Sequence, residues 1–365
     1  MALLQFCEVS VFGLNGKGKQ FDFRIHSWRS SKNPGVSQEL DAQAGIRALA
    51  KGGHPFEARY SEETAEELRQ EILNFKPDHI VLSRIDLSVY LDVIEDVFVG
   101  NLILDLDESV ASTGPSISRI ITHPAQDLVF KAFYNRVQEI EEETLSRVDQ
   151  IWVSSQVELE RVKLTFASIA PQVTFVPNSI LVEAYTPTPH VSREKNTLIY
   201  PASFAYEPSL DAARFLINEL IPLIPKVKLK FVGSHIPEWI RNSATEDISV
   251  VGPVANMIPY LQTSGALVVP LKAGGGTRLK VIEALASGLP VVSTPFGVEG
   301  LGLIPGEDYL EANTASEFAE NCLELLSNEG LSKLLSKRGL ETSKERFSTS
   351  SLEKLTYSLL NAWAE

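Results

Sequence analysis

The sequence predicts an α/β protein built from two doubly wound, parallel-sheet domains, and three observations predict it. From residue 197 onward, short apolar runs alternate with helix-periodic segments, as in a parallel sheet assembled from βαβ units. Residues 267–301, LVVPLKAGGGTRLKVIEALASGLPVVSTPFGVEGL, write one such unit in full: apolar strand, three glycines, amphipathic helix, apolar strand, glycine-containing loop. The chain has 365 residues, enough for two domains of ordinary size with a core each.

In the first half, strands are expected at 8–13 and 21–25, with a turn over 13–19 between them. GLNGKGKQ comes near the P-loop pattern. Gln20 cannot supply the hydroxyl that binds Mg²⁺, however, and FDFRIHSW alternates like a strand instead of opening a helix, so a turn is the reading. Asn33-Pro34-Gly35 marks a loop over 31–37. A helix over 61–75 has Ser61 as its N-cap and acidic residues in its first turn. Buried strands are expected at 79–83 and 102–106. A helix over 128–148 follows, its apolar face formed by Val129, Phe133, Val137 and Ile140. Strands at 150–154 and 173–176 complete the first sheet, and Pro177-Asn178-Ser179 ends it.

The first domain is assigned to 1–182. Residues 183–197, with Pro187, Pro189 and several charges, read as a linker, and 198–349 as the second domain. Within the second domain the expected order is strand 197–202, helix 210–223, strand 228–233, a short helix near 237–242, strand 248–251 and helix 256–262. Strand 266–271 leads through Gly274, Gly275 and Gly276 into a helix from Thr277 that stops at Gly288, a C-terminal cap, and strand 290–294 follows. A final helix is expected over 350–363.

Composition narrows the function. Apolar content of 44% and charged content of 22% are those of a globular protein. A net charge of −14 argues against a nucleic-acid partner, which calls for a basic footprint, and disfavours broad docking on anionic lipid while leaving a local peripheral contact open. Cys7 and Cys322 lie far apart and read as free thiols of a reducing, cytoplasmic compartment, not as a disulfide framework or a Cys-based metal site. No signal peptide or spanning helix is expected. The six histidines lack metal-ligand spacing. No nucleophile elbow and no G-x-G-x-x-G turn between strand and helix appear, which disfavours a covalent hydrolase and a dehydrogenase.

The chemistry concentrates on 274–283. Glycines let a backbone approach a bulky anion. A helix start offers unpaired N–H groups and partial positive charge. Arg278 and Lys280 add formal charge where the dipole disfavours it by about 0.3–1 kcal/mol, a cost that a bound anion would offset. Lys280 and Glu283, three apart, share a face; the bland alternative is a surface pair worth about 0.3 kcal/mol. At the end of LILDLDES, Asp105, Asp107 and Glu108 could bind a metal, act as a base, meet an acceptor hydroxyl or simply form a capped, solvated turn.

From Pro270 to Thr294 the chain follows the pattern P-L-x-x-G-G-G-T-R-x-K-x-x-E-A-x-A-x-G-x-P-V-V-x-T almost without a gap. It thereby resembles the retaining GT-B glycosyltransferases of family 4, group 1, and among them a bacterial sugar-transferase subgroup. The resemblance covers roughly residues 60 to 365, more strongly in the second half. It implies two Rossmann-like domains facing a cleft. A nucleotide-diphosphate sugar would be the donor substrate, with no separate cofactor and no metal, and a hydroxyl compound the acceptor, as in polysaccharide or glycoconjugate biosynthesis. Arg278 and Lys280 would meet the diphosphate, beside Gly274, Gly275, Gly276 and Thr277. Glu283 would hold the ribose hydroxyls. Glu299, Gly300 and Leu301 would offer backbone N–H groups to the phosphates, the loop opening at Gly252 would cup the base, and Asp107 would lie on the acceptor side. The segment 350–365 would pack back on the first domain.

Two departures matter. Relatives often carry a second glutamate eight positions before Glu283, where this chain has Gly275. The chain opens at MALLQFCEVSVFG, which resembles the end of the family's first helix and its second strand, so the opening strand and glycine-rich loop of the first domain are expected to be missing, either because the start is truncated or because part of the acceptor cleft is lacking. The alternative these departures favour is a non-catalytic or partner-dependent GT-B nucleotide-binding module; an epimerase on the same architecture is a weaker third. The sequence names neither the sugar, the base nor the oligomeric state.

Overall fold

Alternation of buried strands and covering helices produces two parallel sheets. The computed structural model describes residues 9–13, 25–30, 54–167, 172–187 and 193–353. The chain divides into two compact units that meet in sequence between Pro177 and Asn178, at the turn expected to close the first sheet and five residues before the assigned boundary at 182.

In the first unit, β1 (Val9–Gly13) and β2 (Ile25–Ser30) pair in parallel. The second of these begins where the expected strand 21–25 ends; residues 21–24, the turn and the loop at 31–37 lie outside the described residues, as does Cys7. Helix α1 (Glu62–Phe75) starts as expected, with the Ser61 hydroxyl accepting the Thr64 N–H at 3.1 Å. The main sheet takes β3 (His79–Ser83), then, after a short helix α2 (Leu91–Glu95), β4 (Asn101–Leu106). It continues past helices α3 (Val110–Ser118) and α4 (Pro124–Arg147) to β5 (Gln150–Val153). Helix α5 (Gln156–Thr165) and β6 (Gln172–Phe175) close it. Among the described residues its four strands lie side by side in sequence order, all parallel.

Three expectations are corrected here. Strand β3 is not buried: it is an edge strand of the four, and Val81 is 40% exposed. Helix α4 begins four residues before 128 because Pro124 sits in its first turn, where a missing N–H costs nothing. Only the second half of its expected apolar face is covered, Val137 and Ile140 being buried while Val129 is exposed. Helix α3 escaped the sequence reading because Gly114-Pro115 looks like a breaker. It forms because the carboxylates described below satisfy its leading N–H groups and because the Ala111 carbonyl, which Pro115 leaves without its helical N–H donor, accepts the Tyr134 hydroxyl instead.

In the second unit, a four-residue helix α6 (Val182–Tyr185) precedes β7 (Glu194–Ser203), so the stretch read as a linker is largely structured where described. Then come α7 (Glu207–Phe215), β8 (Lys228–Ser234), α8 (Glu238–Arg241), β9 (Ile248–Val251), α9 (Ile258–Thr263) and β10 (Ser264–Val269). Helix α10 (Leu279–Ala286), β11 (Val291–Ser293), β12 (Leu310–Glu311), α11 (Ala315–Ser327) and α12 (Glu329–Arg346) follow. The six parallel strands are ordered β12-β11-β10-β7-β8-β9. The chain therefore winds outward from β7 through β8 and β9, then returns to β10 on the other side. This reversal makes the carboxyl ends of β7 and β10 the topological switch point, where open α/β sheets bind ligands. Every residue of β10 and β11 is buried. The final helix is described only to residue 353; the rest of 350–365 and its packing lie outside the described residues.

Candidate functional site

Helix α10 is held at both ends. Its C-terminus closes in a Schellman motif: the Leu289 N–H donates to Ala284 O at 2.8 Å and Gly288 N–H to Leu285 O at 2.9 Å, with Gly288 at φ +58°. Arg193, from the stretch read as linker, donates to the carbonyls of Ser287 (2.8 Å) and Gly288 (2.7 Å), a cation on the negative end of the helix. Burial pulls its guanidinium down to about 10.

At the other end the helix starts at Leu279, two residues later than expected. Gly274 (φ +113°) and Gly276 (φ +66°) turn the loop through left-handed conformations, and Arg278 is the non-helical N-cap residue. The residue is buried, 7% exposed, and its guanidinium folds onto its own loop. Nη1 donates to the carbonyls of Gly275 and Gly276, the latter at 2.7 Å, and the group lies 5.0 Å from the centre of the Phe296 ring. Arg278 thus rigidifies the glycine turn as well as charging it. Thr277 O accepts the Leu279 N–H at 2.9 Å.

The loop after β7 meets the glycine turn. The Gly275 N–H donates to Tyr206 Oη at 3.2 Å, and a Cβ on Gly274 would lie 2.7 Å from that oxygen. The two loops of the switch point are tied here, and a side chain at 274 would be strained and would have to push the Tyr206 ring aside. Lys280 Nζ sits 4.5 Å over the ring of Tyr200, a fully buried β7 residue that packs edge-on against Phe204 and Phe231. Burial pulls the Lys280 ammonium down to about 7. Arg278 adds repulsion, and Glu283 partly compensates. One turn further, Glu283 Oε1 accepts the Tyr185 hydroxyl at 2.8 Å. Burial pushes the Glu283 carboxyl up, while Tyr185 and Lys280 draw it back. Arg278, Lys280 and Glu283 therefore gather on one helix tip, sheltered from bulk water.

The remaining expected residues are placed differently. The Glu299 and Leu301 N–H groups donate within their own turn, to Phe296 O (3.3 Å) and Val298 O (3.1 Å), which reduces what they can offer a ligand; Gly300, between them, is at φ +79°. Gly252 follows β9, the far edge of the sheet, with no atom near a built Cβ. Asp105 and Asp107 belong to the first unit. Asp107 is exposed, and burial together with Asp107 pushes Asp105 up. Among the described residues no group of three or more His, Cys, Asp or Glu side chains could hold a metal ion, and no helix is long and apolar enough to cross a membrane. The sequence reading missed Tyr185, Tyr200 and Phe296, and gave Tyr206 no role. Nothing in a sequence links Tyr185 to Glu283 across 98 positions.

Residues 195–328 match the family model of group 1 glycosyl transferases. No curated protein sequence matches the chain. Its fold is similar to that of sucrose-phosphate synthase from Thermosynechococcus elongatus (TM-score 0.66, 15% identity, 93% of this chain and 90% of that one). It is also similar to HepE from Anabaena in complex with UDP and glucose (0.62, 10%, 92% and 86%). A third similar structure is the pneumococcal O-GlcNAc transferase GtfA in complex with UDP and GlcNAc (0.56, 15%, 81% and 59%). With these similarities, the two parallel-sheet α/β units identify the fold as GT-B.

Proposed function

We propose that the protein moves a sugar from a nucleoside-diphosphate sugar to an acceptor hydroxyl, with retention at the anomeric carbon and without a metal ion. One observation carries the reading: at the switch point of the second sheet, two sheltered cations and a carboxylate gather at a single glycine-turned helix tip. The group 1 domain match and the UDP bound by HepE and GtfA support it. In this reading the diphosphate lies against Arg278, Lys280 and the glycine turn over 274–277. Its charge grows as the glycosidic bond breaks, and preorganised positive groups stabilise the transition state more than the ground state. Glu283 takes the ribose, and Asp107 in the first unit is the candidate partner of the acceptor hydroxyl.

The test is direct. The protein is incubated with UDP-, ADP- and GDP-glucose, with and without EDTA. Nucleoside diphosphate release and the anomeric configuration of any product are then followed by NMR. Release that survives EDTA and gives the donor's own anomer is expected. Binding of nucleoside diphosphate with no release from any donor, across a panel of sugars and acceptors, would favour the second reading, a nucleotide-binding module. That reading is motivated by Gly275, which offers no carboxylate where many relatives of the resembled family have one and whose N–H is held by Tyr206.

A further inference from the structure

We propose that Tyr185 is a positioning residue of the nucleotide site: its hydroxyl pins one oxygen of Glu283 and leaves the other to accept from a ribose hydroxyl. The inference rests on the donor site proposed above and adds a residue to it from outside the motif.

The geometry is specific. Helix α6 is anchored by Val182, which is fully buried. The backbone carbonyl of Tyr185 accepts Gln262 Nε2 at 2.9 Å, tying the residue to α9. Thr186 folds back with both its N–H and its hydroxyl on Val182 O, each at 3.1 Å, so the chain after Tyr185 is also fixed. The hydroxyl of this anchored side chain donates to Glu283 Oε1 at 2.8 Å. A carboxylate has about four lone-pair positions, so one donor fixes its rotation and leaves acceptor capacity.

The chemistry asks for such a partner. Glu283 is half-buried beside a lysine whose charge is itself weakened by burial. A carboxyl in that setting tends to take up a proton, and a protonated carboxyl would present a donor to one of the two ribose hydroxyls it should receive from. A neutral O–H donor favours the ionised form without adding a competing charge beside the diphosphate. The groups that bear on Glu283 are Tyr185 from α6 and Lys280 from its own helix; Arg278 at the helix tip bears on Lys280. Removing the Tyr185 hydroxyl leaves the cations in place, so the effect falls on binding rather than turnover.

The experiment is a double-variant cycle on the full chain. UDP, ADP and GDP are titrated calorimetrically, and the tightest is carried through Tyr185→Phe, Glu283→Gln and the combination, from acid to neutral pH. Tyr185→Phe is expected to weaken binding about 10-fold, as loss of a hydrogen bond to a charged group does. It should also move the acid limb of the binding profile to higher pH, and raise KM with kcat little changed. On the Glu283→Gln background it should add nothing. Should Tyr185→Phe not fold, Gln262→Ala frees the tyrosine backbone without touching the hydroxyl and should act in the same direction, more weakly. Wild-type affinity and pH profile in Tyr185→Phe, or losses that simply add in the double variant, overturn the inference while leaving the donor site standing. If the wild type binds none of the three nucleotides, the donor site fails and this role with it.

Discussion

Each unit has a strand that runs through a short loop into a helix, and the two helix tips are finished in opposite ways. In the first unit the tip of α3 is filled by the protein's own acids. The Val110 and Ala111 N–H groups donate to Glu141 at 3.2 and 2.8 Å, and the Ser109 N–H and Ser112 hydroxyl donate to Glu158 Oε1 at 2.7 and 2.9 Å. Both carboxylates are buried, and desolvation pushes Glu141 up to about 7 despite its two backbone donors. In the second unit the tip of α10 carries Arg278 and Lys280 and no acid until Glu283. A helix N-terminus that already holds two carboxylates has spent its attraction for anions, whereas one flanked by cations has reinforced it. The same local motif is finished by the protein's own acids in one unit and by its own cations in the other.

The comparison breaks most sharply at Arg278. If its charge is what separates the two tips, Arg278→Ala should lower kcat/KM by about 10²-fold or more, the usual loss when one preorganised donor is removed. Steady-state kinetics with the preferred donor would show it; unchanged turnover would return α10 to a merely structural role. The mirror experiment is Glu141→Ala. It strands two buried N–H groups and should cost about 2 kcal/mol of stability in urea unfolding. It should not alter UDP affinity in the other unit.

The pH dependence sharpens the contrast further. A Lys280 held near 7 is neutral in much of the free protein above that pH and charged below it. A diphosphate prefers the charged form, so UDP affinity should fall as pH rises through about 7, and binding at higher pH should take up a proton from buffer. Calorimetry in buffers of different ionisation enthalpy measures that uptake, and Lys280→Met should abolish both the uptake and the slope. The smallest effect is expected from Gly274→Ala. Its Cβ would crowd Tyr206 Oη at a backbone φ of +113°, untying the two loops without removing a charge. A several-fold loss of UDP affinity, about 1 kcal/mol, is anticipated from strain of this kind.

Much of this was legible beforehand because it is periodic or local. Strands 79–83 and 248–251 lie where the apolar runs placed them, and Ser61 caps its helix, since capping is decided within four residues. The glycine turn, Arg278, Lys280 and Glu283 do lie together, because they share one loop and the first turns of one helix. Helix α3 was hidden because its start is satisfied by Glu141 and Glu158, acids that lie 30 and more positions further on. The linker was misread because Arg193 and Tyr185 look like solvated chain until the helix they cap and the carboxylate they hold are folded against them.

The amino-acid order by itself determined the alternation of elements, the glycine-flanked helix tip and its cationic character, since each depends on neighbours within a turn or two. Tertiary structure alone decided that β10 returns beside β7 to create the switch point and that Arg278 turns inward onto its own loop. It alone also brought Tyr185, Tyr200 and Tyr206 from three separate segments around α10. Those outcomes depend on burial and on hydrogen bonds between distant segments, which have no local signature in the chain.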